Sequence, residues 1–166
     1  MSASIVNIDK NAFAHVPSIS SMDLSNNRIS VIHSEAFKEV GNALQHLKMS
    51  NALYFTNFNL YLICFQVSAS IVNIDKNAFA HVPSISSMDL SNNRISVIHS
   101  EAFKEVGNAL QHLKMSNALY FTKLPELAFH SLSAMITLDL SDNHIRNVPL
   151  DSFHKMSQLK FLYLQV

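Results

Sequence analysis

Residues 19–40 read ISSMDLSNNRISVIHSEAFKEV, and their apolar members fall at uneven intervals that recur. Ile19, Met22, Leu24, Asn27, Ile29, Ile32, Phe37 and Val40 define the spacing LxxLxLxxNxLxxLxxxxFxxL. Ile85, Met88, Leu90, Asn93, Ile95, Ile98, Phe103 and Val106 repeat it, as they must, because residues 2–56 return letter for letter as 68–122. The independent test lies outside the duplication. There Met135, Leu138, Leu140, Asn143, Ile145, Val148, Phe153 and Met156 occupy the same eight positions, and Leu159, Leu162 and Leu164 open a further unit. A unit between them departs from the frame. In Leu110, Leu113, Met115, and in the copy Leu44, Leu47, Met49, an alanine (Ala118, Ala52) stands where asparagine is expected, and Phe129 arrives one residue late.

Alternation around MDL, LKM and LDL sends every second side chain of a short strand inward. An inward Asn27, Asn93 or Asn143 at the exit of that strand can satisfy backbone groups that no strand ladder reaches. One unit cannot bury its own apolar stripe, so neighbouring units must stack into a solenoid. The frame resembles the leucine-rich repeat, in a class of about 24 residues with phenylalanine in the back half of each unit. That resemblance implies an α/β solenoid, a right-handed superhelix with a parallel β-sheet on the concave face and a 3₁₀ or irregular convex side. Over residues 69–166 the succession AFAHV, MDLSNNRIS, AFKEVGNALQHLKMS, LPELAFHSL, LDLSDNHI and DSFHKMSQLKFL is similar to an internal stretch of the chaoptin family. These are large adhesion glycoproteins of invertebrate photoreceptor membranes. Resemblance to them implies a protein-interaction module, a fragment of a cell-surface adhesion protein whose partner is a protein, in some cases another copy of itself.

The frame divides the chain, a single domain over 1–166, into units at about 1–18 (partial), 19–43, 44–60 (truncated), 61–84 (irregular), 85–109, 110–134, 135–158 and 159–166 (partial). The copies are offset by 66 residues, which is not a whole number of units. The apolar run YLICFQV at 61–67 either supplies a buried strand or was never a repeat. In the second case residues 57–66 are translated intron between two copies of one exon, Phe65-Gln66 matching a pyrimidine run ending in CAG. Without caps, the terminal units should expose apolar surface and bare strand edges.

Composition narrows the function classes. Twelve basic and twelve acidic residues leave no basic footprint for nucleic acid. The two glycines, Gly41 and Gly107, allow no phosphate-cradling loop. Cys64 is the single cysteine, so no internal disulfide or thiolate metal cluster forms. The first residues lack the apolar core of a secretory signal, and YLICFQV falls well short of the roughly 20 residues that span a bilayer. The expected location is therefore the cell surface by resemblance, with membrane contact only through an anchor outside this sequence, and the cytoplasm if Met1 is a genuine start. An intracellular adaptor with the same repeats, or a non-functional gene-model fragment, are the alternatives.

Nine histidines show no HExxH or HxxxH spacing. Ser87, His112 and Asp139 can be named as a serine–histidine–aspartate grouping, yet repeats bring polar residues into rows automatically, and no oxyanion donors accompany them. No catalytic, metal, cofactor or small-molecule substrate site is expected, and the chain does not read as an enzyme. The outward strand positions carry the more informative pattern. Asp23, Lys48, Asp89, Lys114, Asp139 and Tyr163 form one row, with Lys114 flanked by Asp89 and Asp139. Ser87, His112, Thr137 and Phe161 run on one side of it, and Ser91, Ser116, Ser141 and Gln165 on the other. These rows are the candidate binding face.

Overall fold

A computed structural model describes residues 5–29, 31–32, 35–40, 42–50 and 71–166. Six three-residue strands form one parallel sheet: β2 (Ser21–Asp23), β4 (His46–Lys48), β6 (Ser87–Asp89), β8 (His112–Lys114), β9 (Thr137–Asp139) and β10 (Phe161–Tyr163), adjacent in that order. Their central residues are in register from Met22 through Leu47, Met88, Leu113 and Leu138 to Leu162. Leu90, Leu113 and Leu140 are all at most 1% exposed, as inward leucines of stacked strands must be. On the opposite flank run two-residue pairs, β1 (Asn7–Ile8) with β3 (Val31–Ile32) and β5 (Asn73–Ile74) with β7 (Val97–Ile98). Isolated bridges Ile95–Leu119 and Lys123–Asn147 continue that line.

The back half of each unit is too short for a helix, and none occurs among the described residues. Tight turns bonded from residue i to i+3 carry the chain round, as in Ala78 N–H to Asp75 O and Ala80 N–H to Asn77 O. These turns drop a phenylalanine into the core. Phe13 stacks on Phe37 at 5.5 Å, Phe79 on Phe103 at 5.5 Å, and Phe103 on Phe129 at 6.2 Å. Each buried ring removes a large apolar area from water, and stacking adds about 0.5–1.5 kcal/mol per pair beyond that burial. The two sequence copies pack alike here, down to the ion pairs Lys10–Glu35 at 3.0 Å and Lys76–Glu101 at 3.2 Å. Among the described residues, left-handed backbone is supplied without glycine. Asn11, Asn26, Asn77, Asn92, Asn117 and Asp142 have positive φ, a conformation their short polar side chains tolerate.

Gly107 serves a different need. A Cβ there would lie 2.0 Å from the backbone oxygen of Ser131 in the next turn. Gly107→Ala is therefore expected to cost about 1–3 kcal/mol in a denaturant melt, because backbone rather than a flexible side chain must give way.

The phase mismatch between the copies is absorbed in one place. Strand β4 pairs directly with β6, so Leu47 and Met88 are neighbours although 41 residues apart, whereas Met88 and Leu113 are 25 apart. The asparagines show where the extra length enters. Asn143 donates to Met115 O and accepts from Ala118 and Leu119 N–H. Asn93 likewise donates to Met49 O but accepts from Ile71 N–H. Ile71 thus arrives 22 residues after Met49 at the place Leu119 reaches four residues after Met115. Residues 44–50 and 71–84 share a single turn, front half from the first copy and back half from the second. Of the separate units expected at 44–60 and 61–84, the described parts, 44–50 and 71–84, lie between strands β4 and β6 that pair directly. The stretch 57–67 itself lies outside the described residues.

The outer strands differ. Met22 in β2 is 8% exposed, whereas Phe161, Leu162 and Tyr163 in β10 are 38–52% exposed. Among the described residues no helix is long and apolar enough to cross a membrane.

Candidate interaction face

The sheet register brings the sequence rows together. Asp23, Lys48, Asp89, Lys114, Asp139 and Tyr163 are successive partners across the six strands, as are Ser21, His46, Ser87, His112, Thr137 and Phe161. Adjacent members of a row stand about 4.8 Å apart. Over β2, β4 and β6 the two rows line a shallow concavity of about 490 Å³ that reaches Lys114.

The aspartates have two tasks. Oδ1 of Asp23, Asp89 and Asp139 accepts the amide two residues on, from Ser25, Ser91 and Ser141 at 2.9, 2.9 and 3.0 Å. The second oxygen of each is left for the row. Hydrogen bonds from the Ser25 hydroxyl and amide, assisted by Lys48, hold the Asp23 carboxyl below its ordinary range. The stability this adds is present at neutral pH and is lost as the pH falls through that lowered value.

Lys48 Nζ sits 3.7 Å from Asp23 Oδ2. Such exposed pairs contribute about 0–1 kcal/mol. Lys114, between Asp89 and Asp139, makes no ion pair within 4 Å among the described residues. A negative–positive–negative array is thus presented without internal neutralisation.

The third row differs from its expected role. Ser91 and Ser141 are buried, and Ser116 is half-buried. Their carbonyls explain it: Ser91 O and Ser141 O accept from the inward Asn93 and Asn143, and Ser116 O accepts from Asn92 N–H. The chain has already begun to turn into the core at these serines, so they cap the row instead of adding contact surface. Phe161, Tyr163 and Gln165 lie exposed at the outer strand. Ser87 and His112 occupy adjacent strands with no hydrogen bond between their side chains, and the Asp139 carboxylate is engaged by Ser141 N–H and Oγ. That grouping is not assembled. Of the three asparagines of the repeat frame, Asn93 and Asn143 are buried and Asn27 is half-buried, each donating to the carbonyls two and three residues before it.

One exposed aromatic lies outside the rows. Tyr120 is 64% exposed, with the Arg94 guanidinium 6.0 Å from its ring centre, at the mouth of a cleft of about 240 Å³. The late arrival of Phe129 was its only sequence signal.

Leucine-rich-repeat models match residues 1–53, 67–119 and 108–165. The chain belongs to the leucine-rich-repeat family. Within that family it is similar to Toll-like receptor 5 of Homo sapiens, 37% identical over 95 residues that make up 54% of this chain and 10% of the receptor. It is also similar to chaoptin of Drosophila melanogaster, 39% identical over 72 residues, 43% of this chain and 6% of chaoptin. The leucine-rich-repeat chain therefore spans a tenth or less of these curated relatives. Among solved structures, the TLR13–ssRNA13 complex superposes with a TM-score of 0.59 at 19% identity, covering 97% of this chain and 23% of that one. This last likeness concerns the leucine-rich-repeat fold alone.

Proposed function

We propose that this leucine-rich-repeat chain is a protein-recognition module, part of a chaoptin-type cell-surface adhesion protein, that engages its partner through the concave rows. The observation carrying the reading is Lys114, a cation between two aspartates on an open sheet face with no ion pair of its own. Ser87, Asp89, His112, Thr137, Asp139, Phe161 and Tyr163 complete the contact surface, with Ser116 at its margin. Such alternating charge governs partner choice and encounter rate more than raw affinity.

A second copy matches this pattern. Turned end for end, the row Asp23, Lys48, Asp89, Lys114, Asp139, Tyr163 sets every lysine against an aspartate, with Lys114 facing Asp89 of the other molecule. Displayed on suspension cells, the chain is expected to aggregate like-expressing cells. Lys114→Glu should abolish aggregation while shifting stability by no more than about 0.5 kcal/mol, as for an exposed site. Adding Asp89→Lys to Lys114→Glu should restore it if the partner is a second copy. Restoration failing while binding to non-expressing cells survives would identify a different protein partner. Aggregation unaffected by Lys114→Glu would refute the concave reading.

A further inference from the structure

The turn beginning at Leu110 has the 25 residues of the turn before it, distributed differently. Ile95 pairs with Leu119, and Leu124 precedes Phe129 by five residues as Ile98 precedes its stacking partner Phe103. Leu119 to Leu124 therefore spans five steps where Ile95 to Ile98 spans three. Tyr120 stands exposed at the position where the preceding turns carry the exposed Ser96 and Val72, so this turn sets a large aromatic ring where they set small side chains.

A cleft of about 240 Å³ opens between Tyr120–Thr122 and Asp142–His144, with the buried Leu119 among its lining residues. Its rim is rich in polar groups with capacity left over. Asp142 Oδ2 accepts from Ser116 Oγ at 3.1 Å, which leaves Oδ1. Asn117 Nδ2 donates to Asn92 Oδ1 at 3.1 Å, which leaves its own oxygen. The side chains of Thr122 and His144 have no partner among the described residues. Asn117 and Asp142 both sit at positive φ, 49° and 56°, so the turn itself aims them at the rim.

The chemistry of an occupant follows by elimination. A cation would compete with Arg94 for the Tyr120 ring, and an anion would meet Asp142. A purely apolar side chain would bury the rim groups without partners. The space is smaller than the roughly 300 Å³ at which drug-sized sites begin, room for about one ring. What remains is a neutral ring with an apolar face and hydroxyl edges.

We propose that this cleft binds a neutral pyranose. The C–H face of the sugar lies on the Tyr120 face that Arg94 leaves open, and its hydroxyls donate to Asp142 Oδ1 and Asn117 Oδ1. This site lies off the concave rows and does not depend on the adhesion reading.

The test is saturation-transfer NMR on the intact chain with methyl β-D-glucopyranoside, methyl α-D-mannopyranoside and N-acetyl-D-glucosamine, and with N-acetyl-leucine amide as a peptide control. Transfer to the ring protons of at least one is expected, falling fivefold or more in Tyr120→Ala. Asp142→Gly, which keeps the left-handed backbone accessible, should reduce it similarly, with the thermal transition of both variants checked in parallel. Absence of transfer from all three sugars would overturn the proposal. So would transfer unchanged in Tyr120→Ala, or transfer confined to N-acetyl-leucine amide, which would make the cleft a side-chain pocket for a peptide.

Discussion

Asn143→Ala is expected to destabilise the chain by about 3–5 kcal/mol in equilibrium denaturation, near the upper limit for a single substitution. The side chain engages five backbone groups inside the solenoid: Oδ1 accepts from Ala118 and Leu119 N–H, and the two Nδ2 hydrogens are shared among the Met115, Leu140 and Ser141 carbonyls. Asn143 is 4% exposed, so water does not replace what alanine removes. The Ala118 and Leu119 amides and the Met115 and Leu140 carbonyls would lose this partner, while Ser141 O keeps the Asn117 N–H. Each buried group left unsatisfied costs about 1–3 kcal/mol. Asn143→Asp should not rescue, because a carboxylate keeps the acceptors but faces three carbonyl oxygens with nothing to donate. The half-buried Asn27 provides the control. It bonds Ile5 N–H and the Leu24 and Ser25 carbonyls, and solvent can reach it, so Asn27→Ala should cost only about 1–2 kcal/mol. Equal losses at the two positions would show that hydrogen-bond burial does not set the scale.

This asparagine also marks how far the sequence could be read. Leucine-type spacing locates all six concave strands because inward side chains leave a periodic trace, and side-by-side stacking then places Lys114 between Asp89 and Asp139. Asn27, Asn93 and Asn143 were identifiable for the same reason. The burial of Ser91 and Ser141 was not legible. Alternation marks them as outward, but an Asp two residues earlier already draws the chain into its turn through the amide bond at Ser91 and Ser141. A D-x-S triplet is too short a signal to separate a capping serine from a contact serine. Tyr120 was hidden in the same way: counting shows a late Phe129, not which side chain the shifted turn presents outward. The pairing of Leu47 with Met88 was the largest departure. A spacing template assumes that every residue between two strands belongs to a turn, whereas closure needs only a front half and a back half to meet.

That closure makes a further result expected. A chain lacking residues 54–70 should fold to the same six-stranded sheet and be more stable by about 1 kcal/mol. The deletion leaves Met49 and Ile71 five residues apart, the interval from Leu90 to Ile95, and Leu47 and Met88 24 apart, the interval from Leu138 to Leu162. The described core side chains of the turn flank the deletion: Leu44, Leu47 and Met49 come before it, and Ile71, Ile74, Phe79 and Val82 after. Shortening the connection from 22 residues to five is about two halvings, and each halving lowers loop-closure entropy cost by about 0.6 kcal/mol. A deletion of equal length over 71–87 should do the opposite. It removes Ile71, Ile74, Phe79, Val82 and Ile85 from the core, and at about 2–5 kcal/mol for each large side chain lost it exceeds the 5–15 kcal/mol that holds a typical domain together. Circular dichroism melts of the two deletions therefore separate the possibilities. If the 54–70 deletion loses its cooperative transition or about 2 kcal/mol or more, those residues pack into the solenoid, and the two copies do not meet at Met49 and Ile71.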